Sequence, residues 1–437
     1  MLGDEQWGAV IAPAWMSRGS VLFSVEMTKR RDDDDTAAEI GGLSALGAGG
    51  LAGVRLLGAL LDDGPQRARW SAPAQLAIAS APAGAAVIAQ AYVDDGDGRR
   101  RLGEPVALGA TPVAAHAVAP GAYLLTVRAP GRPAVRAAVR LDRGEQLAVT
   151  VPIPRAVPDG YVYVPPGRFL YGSADTEEVR RTFAAPPLHA TSTPGYLIAR
   201  HEVTFADWLE FLRALPPDER ARRLPRTPPS ASVHLGAHVE LSEPTPGRFR
   251  LALQPTVQRH VVEGDQVIHY AERTTGADQR WQRLPVSGIS WDDAVAYADW
   301  LARTGRLPGA QPCGEREWER AARGADDRLY PHGDALAPDD ADLSDTYGHR
   351  AAAYGPDEVG AHPASDSPFG VADLAGNVWE WVRSVSGDEQ VAIRGGSWYH
   401  NPIDLRSTNR EPSEPSLRSL VIGARICAPA PREPDAR

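Results

Sequence analysis

Gly370-Val371-Ala372-Asp373-Leu374-Ala375-Gly376-Asn377-Val378-Trp379-Glu380-Trp381 is the stretch whose reading decides the fold. A glycine-punctuated turn runs into an aromatic and acidic segment, in which Trp379 and Trp381 read as core residues and Asn377 and Glu380 as groups that satisfy the turn. Three blocks follow in order: Arg394-Gly395-Gly396-Ser397-Trp398, Arg406-Ser407-Thr408-Asn409-Arg410 and Ile422-Gly423-Ala424-Arg425. Upstream, Gly160 to Phe169 alternates apolar residues and reaches Pro165-Pro166-Gly167, a strand entering a turn. Thr204 stands as an N-cap before Phe205, Trp208, Leu209 and Leu212 at helical spacing. Ser290 caps a second helix that buries Ala294, Tyr297, Ala298 and Leu301. A third helix, Glu315 to Arg323, stops at Gly324.

In this order the blocks resemble the formylglycine-generating enzyme (sulfatase-modifying factor) domain. The resemblance implies an α+β, C-type-lectin-like fold over residues 156–432. Two departures are visible: Gln311-Pro312-Cys313 stands where relatives place Arg-Leu-Pro-Thr, and Pro331-His332-Gly333-Asp334 replaces their Pro-Trp-Gly-Asp or Asn. The family's oxidases carry two copper-holding cysteines after the Gly-Gly-Ser-aromatic block. Here His400 falls at the first of those positions, and the next cysteine is Cys427.

Formylglycine formation needs soft thiolates to hold Cu(I). With two cysteines in the whole chain, Cys313 and Cys427, neither in that segment, copper is not expected. A lone imidazole, His400, reads equally as a loop histidine. His234, His238 and Glu240 have a spacing that resembles the iron motif of ergothioneine-type sulfoxide synthases. The stretch borders strand-like sequence, however, and in a strand the two histidines stand roughly 13 Å apart. The helical bundle that carries that motif in those enzymes is not recognisable here. The resemblance implies a calcium site through the side chains of Asp373 and Glu380 and the carbonyls of Gly376 and Val378, hard oxygens that suit Ca²⁺. The alternative is that these acids serve the turn alone. A second family site falls near Asp342 and Leu343, with no recognisable aspartate partner downstream.

Two functions from different classes stand. The first is a non-catalytic binding or sensor protein whose Trp398, Tyr399, His400, Asn401, Arg406, Asn409 and Arg410 form a surface for a protein, peptide or glycan. The second is a formylglycine-generating oxidase or another non-haem metal-dependent oxidoreductase of the same family. Fold alone does not choose between them.

Composition narrows the partners. The 437 residues carry a net charge of −10, which disfavours nucleic acid and anionic membrane surfaces. Ile40 to Val54 is too short to span a bilayer, so no membrane insertion is expected, nor is a secretory signal visible. Two distant cysteines without a disulfide framework read as free thiols of a cytoplasmic protein. Residues 1–72 read as a partly disordered or remnant segment. Residues 73–155 hold short alternating strands broken by Pro and Gly, a small all-β sandwich that resembles the PEGA module. Such a module ahead of this fold resembles the C-terminal half of certain bacterial serine/threonine kinases. No kinase motif is present in these residues, so the chain reads as the sensory half of such a kinase or as a protein with a kinase partner.

Overall fold

The computed structural model describes residues 7–17, 20–29, 72–94, 96–227, 237–385 and 391–431. Two compact units divide the chain, Met1–Pro73 and Ala74–Arg437. In the first, Trp7–Ser17 and Ser20–Lys29 form an antiparallel hairpin. His234 and the rest of 228–236 lie outside the described residues.

The second unit opens with the expected sandwich. Ala74–Ala81 lies between Gln146–Pro152, parallel to it, and Val113–Val118, antiparallel. The facing sheet runs Arg100–Leu102, Ala86–Asp94, Gly121–Arg128, Val135–Leu141, and Val106–Ala110 also pairs with Ala86–Asp94. Inward positions alternate as a two-residue period demands: Leu76, Ile78, Val87, Leu125, Val127 and Val139 are buried. The sandwich docks on the following domain through its 96–100 turn. Asp334 N donates to Gly98 O at 2.6 Å, Arg100 N to His332 O at 2.9 Å, and Arg100 pairs with Asp326 and Asp334.

The rest is a mixed α+β domain with few helices, as expected. One four-stranded sheet has the order Tyr161–Val164, Tyr196–Ala199, Ile426–Pro429, Gln311–Pro312, and a second the order Arg410–Pro412, Val391–Arg394, Trp379–Arg383, Ile422–Ala424. Around them lie α1 (Glu177–Thr182), α2 (Phe205–Ala214), α3 (Pro217–Arg222), α4 (Trp291–Arg303) and α5 (Glu315–Arg323). The caps sit where the sequence puts them. Thr204 and Ser290 each accept from the N3 backbone while Asp207 and Asp293 return the bond, satisfying donors a helix start leaves orphaned. Gly324 ends α5 at φ +75°, where a side chain would also press on Pro368 and Ala138. Trp208 stacks on Tyr297 at 5.4 Å, fastening α2 to α4. Between those helices the chain inserts a three-stranded sheet, His238–Thr245, Arg248–Gln254, His260–Glu263. His238 and Glu240 therefore lie on a strand, not on a helix.

Free thiols were expected, and the structure corrects that reading. Cys313 and Cys427 are buried and bonded to each other. The cause is register: Gln311–Pro312 lies antiparallel to Ile426–Pro429, which brings the two Cα atoms to 4.8 Å across 114 residues of sequence. Replacing Cys427 by Ser should lower the unfolding free energy by about 2–4 kcal/mol. Urea unfolding with and without a strong reductant reads this, and reductant should leave the variant's midpoint unchanged.

Candidate functional site

The segment that carries the oxidase cysteines in the resembling family is held here by backbone bonds. After the Val391–Arg394 strand, Gly395 and Gly396 turn the chain at φ +98° and +76°, and a Cβ on Gly396 would meet Leu405 at 2.6 Å. Trp398 N then donates to Asn377 O at 2.9 Å, and Ser344 N to His400 O at 3.0 Å. These bonds aim the His400 ring at Trp379, edge to face at 5.3 Å. Trp379 Nε1 lies 3.5 Å from His400 Nε2, and an indole only donates. The imidazole proton is therefore on Nδ1, which donates to Ser397 Oγ at 2.7 Å. The resulting Ser-His pair is not a nucleophile and base, because Ser397 is fully buried and the bond serves to hold the ring. Tyr399 and Tyr354 continue the aromatic surface, 6.1 Å and 5.8 Å from His400 and Tyr399 respectively.

Beneath this loop lies an unbalanced group of buried charges. Arg425 donates to both oxygens of Glu380 at 2.6 to 3.0 Å and to the carbonyls of Ala199 and Ala372. Trp318 Nε1 adds a bond to Glu380 at 2.7 Å. Asp373 accepts from Gly360 N at 2.6 Å, and Glu202 stands beside Asp373 and 3.7 Å from Arg425. Burial, then the neighbouring Asp373, push the Glu202 carboxyl well above its usual range, and burial raises Asp373. The expected calcium set does not fit this arrangement. Arg425 and Trp318 donate to the Glu380 oxygens that an ion would need. The Gly376 turn is closed in as well, since a Cβ there would strike Asp342 O at 2.2 Å.

The aspartate that sequence reading did not find beside Asp342 is Asp357. Its N–H donates to Asp342 Oδ2 and to Asn377 Oδ1, both at 3.1 Å. Its carboxylate receives Arg273, Tyr347 Oη at 2.6 Å and His362 Nε2 at 2.9 Å. Burial pushes Asp342 up, and Asp357 adds to it. For Asp357, burial is outweighed by the His362 bond and the Arg273 charge, which hold it below the usual range. For His362, likewise against burial, that bond and the Asp342 and Asp357 charges raise the imidazole to about 9. Asp357 lies 15 positions after Asp342, in a stretch that holds a single short 3-10 turn, Ala351–Ala353, so no periodicity marked it.

The expected contact surface is only partly on the surface. Trp398, Asn409 and Arg410 are buried. Trp398 packs in the core, Asn409 donates to Ile403 O, and Arg410 pairs with Glu315 at 2.7 Å. Arg406 pairs with Asp175 at 2.9 Å. Tyr399 and His400 are half-buried and Asn401 is exposed, and these three are what the loop presents.

Residues 148–430 fit the sulfatase-modifying factor enzyme 1-like domain. The chain is 35% identical over 163 residues to the inactive C-alpha-formylglycine-generating enzyme 2 of Mus musculus, covering 34% of this chain and 50% of that protein. It is 29% identical over 325 residues to hercynine oxygenase of Mycolicibacterium smegmatis, 66% of this chain and 67% of that protein. It is 32% identical over 170 residues to the serine/threonine-protein kinase pkn1 of Chlamydia caviae, 34% of this chain and 24% of the kinase. The chain thus spans half the length of the mouse relative and about a quarter of the kinase.

The unbalanced carboxylates set a pH dependence. Glu202 has a folded pKa raised above its unfolded value, so its contribution is present at acid pH and is lost as pH rises toward neutrality. His362 behaves alike over a higher window, its contribution complete below 6.5 and lost as pH climbs through about 9. Glu202→Gln should therefore stabilise the protein by about 1–3 kcal/mol near pH 7.5 and by much less near pH 4.5. Thermal unfolding of both proteins across that range is the measurement.

Proposed function

From the premise that the chain belongs to the sulfatase-modifying factor enzyme 1-like family, we propose that it is a member that binds a ligand rather than one that makes formylglycine. The observation that carries this reading is the fate of sulfur: the whole chain has two cysteines, both buried and bonded to each other. A Cu(I) oxidase of this kind needs thiolates at the site, and His400 stands where the first would be. The imidazole supports the same reading. Its lone pair at Nε2 faces the Trp379 N–H, and its proton holds Ser397. The ring is thus a fixed part of an aromatic shelf, with Tyr399 and Asn401 as its accessible neighbours. A shelf of rigid rings beside an adaptable amide suits a protein or peptide ligand, since rings contribute contact area at little entropic cost. The disulfide favours an oxidising compartment over the reducing cytoplasm.

Purified protein loaded with Cu(I) and, separately, with Fe(II) should retain neither metal at one equivalent when measured by plasma mass spectrometry. It should leave a cysteine-containing substrate peptide unchanged by mass. Stoichiometric metal that disappears in His400→Ala, together with aldehyde formation on the peptide, would overturn the reading.

A further inference from the structure

Among the most deeply buried side chains of the domain are five arginines, Arg320, Arg323, Arg328, Arg394 and Arg425. Four of them are matched by buried carboxylates. Arg323 and Arg394 pair with Glu319, Arg328 with Asp326 at 2.7 Å, and Arg425 with Glu380 at 2.6 Å. Arg320 of α5 is the exception. It is 1% exposed, its one hydrogen bond among the described residues goes to Thr193 Oγ1, and its Nε is buried without a partner. Burial lowers its pKa, and what opposes that is the phenols of Tyr196 and Tyr163, which burial keeps neutral, rather than a carboxylate. A buried cation without a counter-charge is strongly disfavoured, so this one calls for an anion from outside the chain.

The surroundings of Arg320 leave room for one. It lines a crevice of about 30 Å³ between the sandwich strands Val135–Leu141 and Gln146–Pro152 and residues 166–168 of the following domain. Gly167 belongs to this wall. A Cβ there would come within 2.6 Å of Arg320 Nη2, so the missing side chain keeps the guanidinium open to the crevice. Two further guanidinium groups stand at the crevice, and each has its own acid: Arg140 pairs with Asp142 at 2.8 Å and Arg168 with Glu145 at 2.5 Å. The described lining contains no acidic residue, so the Arg320 charge is left over.

We propose that this crevice binds a single monatomic anion of the size of chloride, which Arg320 holds and which ties the sandwich to the domain. Size selects the ligand. One water needs about 10–15 Å³, so the space takes a halide and is too small for a peptide carboxylate with its chain or for a nucleotide phosphate. Charge selects it as well, because a water would satisfy the Nε proton and leave the cation uncompensated.

The test is thermal unfolding of the full chain as sodium chloride replaces sodium gluconate, whose anion is too large for the crevice, at constant ionic strength. The wild-type midpoint should rise with chloride by about 3 °C or more and then level off, as binding to the folded state alone requires. Arg320→Met keeps the length of the side chain and removes its charge, and it should abolish the chloride response. Arg306→Gln removes the same charge from an exposed pair with Glu210 and should keep the response. Independently of any variant, crystals of the wild-type protein grown in sodium bromide should show an anomalous scattering peak in contact with the Arg320 guanidinium. No chloride response in the wild type, an equal response in Arg320→Met, loss of the response in Arg306→Gln, or a water in place of bromide beside Arg320 would each overturn the proposal.

Discussion

The domain depends on carboxylates of α5 that collect arginines from distant segments. Glu319, fully buried, accepts from Arg323 one turn further along the helix at 2.8 Å, from Gly172 N at 2.7 Å and from Arg394 of the second sheet. Glu315, one turn earlier, takes Arg410 at 2.7 Å and Val385 N at 3.0 Å, and Arg394 stands 3.8 Å away. Against its burial, Arg394 and Arg410 hold the Glu315 carboxyl below the usual range. A buried ion without a partner costs several kcal/mol, so each of these charges fixes the position of another segment. Arg394 completes the arrangement by donating to the carbonyls of Ser407 and Thr408, which aligns the loop after the Gly-Gly turn.

This constraint explains why the polar blocks of the sequence are inside. Ser407, Thr408, Asn409 and Arg410 read as a solvated surface because their composition is that of one. In the folded chain Arg410 is buried against Glu315 of α5, about 90 residues earlier, and the Ser407 and Thr408 carbonyls accept from Arg394, itself paired with Glu319 of α5. Hydrophobic periodicity cannot report such a contact. It did report α2 and α4, whose apolar faces and capping residues are local properties, and it reported the sandwich, whose alternation is local too. The order of the glycine-aromatic blocks carried the rest of the fold.

The site was less legible for the same reason. His400 could be picked out by its place in the blocks, but its tautomer and its hold on Ser397 depend on Trp379 from the neighbouring strand. The disulfide depends on a two-residue strand, Gln311–Pro312, too short to signal itself. Asp357 depends on a loop whose contacts, with Arg273, Tyr347 and His362, are all made outside regular elements. Chemistry that requires side chains from several segments becomes visible only when those segments are in place.

The two carboxylate groups differ in a way that bears on what the domain does. Asp357 is surrounded by a guanidinium, an imidazole and a phenol, and its charge is matched where it stands. Glu202 and Asp373 share with Glu380 a single guanidinium, Arg425, which is already committed to Glu380 and two carbonyls. The first group is therefore a finished structural element, whereas the second keeps more negative charge than the surrounding side chains neutralise. Burial and the Asp373 charge therefore drive the Glu202 carboxyl upward. The Glu202 group is thus the part of the domain whose contribution to stability falls as pH rises above the usual carboxylate range, whereas Asp357 keeps its charge matched through His362 and Arg273.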